Sequence, residues 1–581
     1  MATTLERGSF QFPTITGAVP PTDQAGMDAA VAATQAQKGA WVNVSVRQRI
    51  ALIDQIMTDF HALAGRWVAA CLDAKGVDAT APAAGEEWAT GPYATLKHLR
   101  QLRSSLLDIE RYGSPRIPGP VRALPNGQVV AGVFPQTGYD RVFYMGVTAE
   151  VWQQPGVTVE SLPQTMAVAY RQKPAGKVAL VLGAGNVASI GPLDALYKLF
   201  VENQVVVFKT NPVNAYVGPL MEEAFRSLVE KGYLRVVYGG AAEGAYLCNH
   251  PGVDEIHITG SDKTFDAIVW GVGPEAQARK AAGTPLLTKR ITGELGNVSP
   301  VIVVPGPWSA SDIQYHGAHL ASMLTNNAGF NCNATRVIIQ HSGWSQRNQL
   351  LDAMRAALKS APSRPAYYPG ARDRYQAFMQ AHPDAERYGD SDGANLPWTL
   401  ITGVDPDASD DICFTTEAFC SLFSETALDA ASVADYVDRA VDFCNNQVWG
   451  TLNATLLVHP ASLRDPQVAA AVERGVANLR YGTIGVNYWA GVGFAMGITT
   501  WGAFPGHSLD NIRSGTGVVH NALMFDKPQK SVIRANFRLQ PIPPWFITRA
   551  RIAPTLFRKL ADLEYKPSPI QVPGVAMTAF S

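Results

Sequence analysis

The sequence is poor in cysteine, in net charge and in long apolar runs. Its six cysteines (Cys71, Cys248, Cys332, Cys413, Cys420 and Cys444) form no C-x-x-C pair and show no His spacing suited to zinc. That excludes a disulfide-stapled fold and predicts no metal centre. So few thiols fit a reduced, cytoplasmic chain in which one or two of them do chemistry. No window is an uninterrupted apolar stretch long enough to cross a bilayer as a helix. The opening MATTLERGSFQFPTITG has no charged-then-apolar signal pattern. With 48 Lys+Arg against 49 Asp+Glu the net charge is −1, so no global field draws the chain to nucleic acid or to an anionic membrane. There is no internal repeat and no low-complexity tract. What is present is apolar material: 47% hydrophobic against 17% charged residues over 581 positions. That is enough for several domains or one large two-lobed unit.

Residues 1–25 read as a Pro/Thr/Gly-rich arm. Val46, Ile50, Ile53, Met57 and Phe60 then recur at helical spacing, with Arg47, Arg49, Asp54 and Asp59 between them; this predicts an amphipathic helix. Residues 85–110 read as helical, and Tyr112–Leu162 as loops and hairpins with short β-branched runs such as Val129-Val130. From Lys177 short apolar runs alternate with helical stretches: Val178–Leu182, Val205–Phe208, Leu234–Tyr238 and Glu255–Thr259. Such alternation predicts a parallel sheet covered on both faces, with ligands beyond the carboxyl ends of its strands. Those ends carry Gly183-Ala-Gly-Asn186, Lys209-Thr-Asn-Pro212 and Thr259-Gly-Ser261. A second α/β stretch runs from about Leu295 to Trp501 and includes Val301–Val304 and Arg336–Gln340.

Two side chains invite chemistry. Cys332 follows a Gly-containing, Asn-flanked turn, Asn326-Asn-Ala-Gly-Phe-Asn-Cys332, which suits an exposed nucleophile; equally, a lone cysteine serves as a small buried hydrophobe. A thiol ionises near pKa ~8.5, so an active one needs a base or local dipoles. Glu294, set between glycines in Ile291-Thr-Gly-Glu-Leu-Gly296, is the candidate base; taken alone, an isolated Glu reads as a solvated surface residue.

Together these segments resemble the aldehyde dehydrogenase superfamily. The family's E-L-G-G-K-S-P is echoed by Glu294-Leu-Gly-Asn-Val-Ser-Pro300, and its N-x-G-Q-x-C by Asn327-Ala-Gly-Phe-Asn-Cys332. P-W-N-F is echoed by Ala184-Gly-Asn186-Val, K-P-A-E by Lys209-Thr-Asn-Pro212, and F-T-G-S by Ile258-Thr-Gly-Ser261. E-x-F-G-P is echoed by Glu417-Ala-Phe-Cys-Ser421 and G-T-V-x-V-N by Gly482-Thr-Ile-Gly-Val-Asn487. The echoes keep the family's order. The resemblance implies an α/β fold with a Rossmann-type cofactor domain, an α/β catalytic domain and a β oligomerisation flap. It implies Cys332 as nucleophile, Asn186 with the Cys332 N–H as oxyanion donors, and Glu294 as general base. For NAD or NADP it implies Lys209 and Glu417 on the two riboses, Phe419 beside the nicotinamide, and Gly260 and Ser261 opening a helix toward the pyrophosphate.

The departures are specific. The second glycine of the family's G-S-x-x-x-G is Phe265, the acidic residue that discriminates NAD falls at Pro212, and the Gln before the cysteine is Phe330. Without a carboxylate at 212 a 2′-phosphate is not repelled, so both cofactors stay open. Glu294 favours water over coenzyme A as acyl acceptor. The alternatives are a CoA-acylating dehydrogenase or acyl-CoA reductase, and a catalytically silent scaffold of the same fold. Tyr488, Trp489, Phe494 and Trp501 suit aromatic walls near the site.

The expected division is a dinucleotide-binding domain at 26–120 and 166–292, and a catalytic domain at 293–505. An oligomerisation region is expected at 121–165 and 527–545, giving a homodimer or homotetramer, with an extension at 546–581. The end of the chain is basic: between 527 and 566 nine Lys/Arg face only Asp562 and Glu564. Ser531–Leu539 alternates as a strand. Three readings compete for the tail beyond this strand: packing on a neighbouring subunit, contact with an anionic membrane through Trp545, Phe546 and the basic cluster, or a lid over the substrate entrance. The last two suit an apolar aldehyde.

Overall fold

In the computed structural model, residues 19–172, 174–391 and 393–581 are described; the first eighteen residues of the expected arm lie outside them. The helical periodicity after residue 45 gives the helix Val46–Lys75. Ser45 caps its first turn in a reciprocal capping box with Gln48, and Gly76 ends it in the left-handed region. Ile53, Phe60 and Trp67 of its inner face are buried. Residues 84–112 form Ala84–Trp88, a π-turn at Ala89–Tyr93 containing Pro92, and Ala94–Tyr112.

The alternating runs after Lys177 form a parallel sheet. Its strand order is Arg290–Glu294, Glu255–Thr259, Val178–Leu182, Val205–Lys209, Leu234–Val237, and Gly515–Thr516 adds antiparallel beside Arg290–Glu294. Val178–Leu182 is central. The chain leaves it on one side, through 205 and 234, and returns on the other at 255, so strand order reverses between Val178–Leu182 and Glu255–Thr259. Such a reversal opens a crevice at the carboxyl ends of the two strands. Near-continuous apolar residues in Val178–Leu182 and Val205–Lys209 reflect burial on both faces.

The second sheet has eleven strands. Its centre is parallel: Thr483–Val486, Asn453–Val458, Ser299–Val304, Thr335–His341, Leu422–Leu428 and Trp398–Val404. The region expected to bridge subunits continues this sheet within the chain. Pro528–Ala535 pairs parallel with Thr483–Val486 and antiparallel with Val147–Gln153, which pairs with Val129–Phe134 and through it with Val121–Ala123. The strand expected at 531–539 therefore starts and ends earlier, at 528–535. Beyond it, Ala553–Tyr565 and Gln571–Phe580 are helices. No helix among the described residues is long and apolar enough to cross a membrane.

Candidate active site

The carboxyl ends of the first sheet face the amino ends of the second, and the candidate residues meet there. Glu294 is the last residue of its strand, in register with Thr259, and its carbonyl accepts from Gly260 N at 3.1 Å. Cys332 lies just before the strand Thr335–His341. The helix Ala310–Thr325 ends in a turn in which Asn327, Ala328 and Gly329 all have positive φ. A Cβ on Gly329 would collide with the Cys420 carbonyl oxygen, so this turn requires glycine in both conformation and space. Lys75 Nζ holds Asn327 Oδ1 at 2.9 Å, and Asn327 N donates to Glu86 Oε2 at 3.0 Å. The cysteine turn is thus tied to the N-terminal helices.

The Cys332 Sγ–H donates to Glu294 Oε1 at 3.5 Å, and Trp501 Nε1 donates to the same oxygen at 2.6 Å. Glu294 Oε2 is buried with no partner. Burial first, and the neighbouring Asp194 second, push the Glu294 carboxyl up to about 8. Burial and the charges of Glu294 and Glu417 push the Cys332 thiol well above its ordinary value. Thiol and carboxyl thus share a hydrogen bond along which one proton can pass from sulfur to oxygen when Glu294 is ionised. Asn186, buried in the loop after Val178–Leu182, donates from Nδ2 to Phe330 O at 2.9 Å, which leaves that amide a second N–H. Its own carbonyl accepts from Tyr367 OH at 2.8 Å and Asn327 Nδ2 at 3.1 Å.

Of the residues expected around a dinucleotide, Lys209 and Ser261 lie at carboxyl ends of strands of the first sheet, and Glu417 meets Asn297 just beyond the strand that Glu294 closes. Lys209 ends Val205–Lys209 and donates to Gly239 O at 2.6 Å; burial lowers its pKa to about 8. Ser261 is exposed and caps Asp262–Trp270 by accepting from Thr264 N at 3.1 Å, so the first amides of that helix face outward. Phe265 is fully buried. Glu417 Oε1 accepts from Asn297 N at 3.2 Å, and burial, partly offset by Arg336, raises its pKa to about 7. A Cβ on Gly296 would collide with Glu417 Oε2, so glycine there makes room for the carboxylate. Phe419 has φ 41° and packs beside Phe330 and Tyr368. A helix N-terminus, an ammonium and a carboxylate are groups that fit a nicotinamide dinucleotide.

A cavity of about 170 Å³ opens onto the cysteine; Cys332, Asn186, Asn331 and Asn333 form one end of it. Tyr488, Trp489 and Phe494 line it as expected, whereas Trp501 instead holds Glu294. Among the described residues no charged side chain lines it. Leu539–Trp545, Leu556, Phe557, Leu560, Val575 and Ala579 of the C-terminal segment, for which a lid over the substrate entrance was one of three expected roles, form a further part of its wall. Phe546 is buried, and Trp545 packs on Trp489 with centroids 5.2 Å apart. Of the two aromatics expected at a membrane surface, Phe546 is buried and Trp545 half-buried against Trp489, and the tail lines the cavity. Away from it, His382, Asp411 and Cys413 bring ligating atoms within 4.8 Å of one another, although their spacing gave no sign of it. Asp411 caps the turn Ile412–Thr415 and bonds His382 Nε2 at 3.1 Å, so hydrogen bonding accounts for their convergence.

Residues 140–371 match the sequence model of the aldehyde dehydrogenase family. The chain is 30% identical over 198 residues to N-succinylglutamate 5-semialdehyde dehydrogenase of Sphingopyxis alaskensis, covering 34% of this chain and 36% of that one. It is 35% identical over 138 residues to human 4-trimethylaminobutyraldehyde dehydrogenase, covering 23% and 24%. The chain thus spans about a third or less of the length of these curated relatives. In fold it is similar to an NADP-dependent glyceraldehyde-3-phosphate dehydrogenase of Bacillus halodurans complexed with NADP, with TM-score 0.61, 16% identity and coverage of 89% and 92%. It is equally similar to aldehyde dehydrogenase C of Pseudomonas syringae complexed with NAD+ and octanal, with TM-score 0.61, 17% identity and coverage of 93% and 94%.

Proposed function

We propose that this chain, which belongs to the aldehyde dehydrogenase superfamily by its matched segment and its fold, oxidises an aldehyde with an apolar body to the carboxylic acid, using NAD or NADP. The observation that carries this reading is the Cys332–Glu294 contact at 3.5 Å beside an uncharged cavity that Cys332 shares with Asn186.

Glu294 accepts the thiol proton and Cys332 attacks the aldehyde carbonyl, forming a thiohemiacetal. The second N–H of Asn186 and the Cys332 backbone N–H hold the oxyanion. When bound, the dinucleotide supplies the acceptor for the hydride that converts the thiohemiacetal into a thioester. Lys209, Ser261 with its helix, Glu417 and Phe419 are the residues that would hold it. After releasing the thiol's proton to solvent, Glu294 takes a proton from the water that attacks the thioester and returns it to the Cys332 sulfur as the acid departs. Trp501 fixes the carboxylate throughout.

The neutral, aromatic and aliphatic wall supports an apolar substrate body. The six free cysteines support a reduced, cytoplasmic setting, and a homodimer or homotetramer is the assembly we propose. The direct experiment is an absorbance screen for NADH and NADPH formation, with aldehydes from acetaldehyde to long-chain and aromatic ones. In parallel, the alkylation rate of Cys332 is compared with that of the five other cysteines. Reduction of neither cofactor by any aldehyde, together with a Cys332 no more reactive than the rest, removes the proposal.

A further inference from the structure

One side of the cavity wall conceals a charge. Lys97, on the helix Ala94–Tyr112, is 1% exposed and does not itself line the cavity. Its Nζ donates to the Tyr93 hydroxyl at 3.0 Å, and that hydroxyl shares a short hydrogen bond with the Tyr144 hydroxyl. Both tyrosines line the cavity. The rings of Tyr144, Tyr93 and Phe134 surround the ammonium at 5.0, 5.3 and 5.4 Å. Among the described residues the ammonium forms no ion pair. Burial pushes its pKa down, but Tyr144, Asp140 and Glu564 more than offset this and keep it above the ordinary lysine value. Burial also raises both phenols, so each keeps its proton.

The protons of this cluster can be counted. An ammonium only donates, so the Tyr93 oxygen accepts from Lys97. Two phenolic O–H groups share one hydrogen bond. Whichever of them donates, one O–H remains unspent on a wall of the cavity, polarised by the cation behind it. Tyr93 packs against Phe557 of the roof, with centroids 5.6 Å apart, and not on the Cys332–Glu294 pair. The ammonium has Asp140 and Glu564 near it but no ion-pair contact with either among the described residues; reached from the cavity only through two phenols, it favours an electron-rich partner in front of them. It disfavours a cation, because the π faces that would receive one already surround Lys97.

We propose that Tyr93 and Tyr144, backed by Lys97, bind an oxygen acceptor at the end of the substrate remote from the aldehyde. The substrate is then an aldehyde with an apolar body and a distal carboxylate or carbonyl, bound better than a plain alkanal and far better than a cationic aldehyde. This rests on the reading of the cavity as an aldehyde site.

The test is kcat/KM for four aldehydes of matched chain length, with the better of the two dinucleotides. They are a plain alkanal, its ω-carboxylate, the methyl ester of that carboxylate, and an ω-trimethylammonium aldehyde. The carboxylate and the ester should exceed the alkanal by about tenfold, the carboxylate most, as expected for a charge-assisted hydrogen bond; the cationic aldehyde should be slowest. Tyr144→Phe and Tyr93→Phe, each checked for an unchanged melting temperature, should bring the carboxylate-to-alkanal ratio toward one. A wild-type ratio at or below one, or a ratio that both variants leave intact, overturns the anchor while leaving the oxidation reading in place. Oxidation of none of the four removes both.

Discussion

The cavity has two ends built on different principles. At the reacting end every group is polar and comes from a loop at the rim of a parallel sheet: Asn186 after Val178–Leu182, Glu294 closing Arg290–Glu294, Cys332 before Thr335–His341. At the roof the lining is apolar apart from Gln540, and it comes from residues 539–579, joined to helices near the start of the chain. The reacting end is set by backbone topology, which fixes where strand ends point. The roof is set by side-chain packing and one buried ion pair, Arg100 with Glu564, to which Tyr139 OH also donates at 3.2 Å. This difference predicts that changes at the first end cost rate without fold, and changes at the second cost fold or selectivity before chemistry.

The strongest test of the first half is Cys332→Ala. The remaining cysteines are all buried, so none can substitute, and kcat/KM should fall by about 10⁴ or more with an unchanged circular dichroism spectrum. Glu294→Gln comes next. The amide cannot accept a proton, so turnover should drop roughly 10²–10⁴-fold, while a rapid-quench experiment shows acyl-enzyme accumulating as hydrolysis slows.

The same carboxyl gives a pH dependence. As base Glu294 must ionise, and burial has raised its pKa to about 8, so wild-type kcat should climb through that region. Its linkage to stability has the opposite sign. The folded state binds this proton more tightly than the unfolded chain does, so its contribution is fully present below about pH 4 and is lost as pH rises through about 8. Glu294→Gln should therefore gain melting temperature relative to wild type at pH 9 and show little gain at pH 5.

Glu564→Ala tests the second half. Arg100 and Glu564 retain only 13% and 3% of side-chain exposure, and removing one partner of a buried pair costs about 3–5 kcal/mol. Denaturant unfolding should show that loss. If the roof unfolds alone, an early transition should appear while Cys332 keeps its alkylation rate.

The contrast also explains what the sequence could show. Val178–Leu182 was legible to the residue because both-face burial writes an uninterrupted apolar run, and Glu255–Thr259 because Ile256 and Ile258 alternate with polar residues at strand spacing. Cys332, Glu294 and Asn186 were legible because strand-end loops keep their motifs in sequence. Trp501 was not: its bond to Glu294 spans 207 positions, and its ring looks like any core aromatic. The helical stretch expected between Val205–Phe208 and Leu234–Tyr238 is broken into Val217–Ala224 and Arg226–Val229, with Phe225 out of helical geometry. The roof was one reading among three, because an amphipathic helix such as Ala553–Tyr565 records that it has a buried face but not what covers it. The same limit hid Lys97, which reads as an ordinary helix cation until the fold encloses it.

The smallest expected effect separates the two ends most finely. Trp545 lines the roof and touches Trp489, whose Nε1 donates to Asn333 O at 2.9 Å, next to the nucleophile. It therefore belongs to the roof by packing and adjoins the reacting end by one contact. Trp545→Ala removes apolar wall that only a long substrate reaches. If packing dominates, long-chain aldehydes should lose about tenfold in kcat/KM, equivalent to one or two lost methylene contacts, and acetaldehyde less than twofold. If Trp545 instead braces the Asn333 turn, both substrates lose equally and the Cys332 alkylation rate falls with them. A length-dependent loss leaves the roof a selectivity device, whereas a uniform loss makes it part of the machinery that holds the thiol in place.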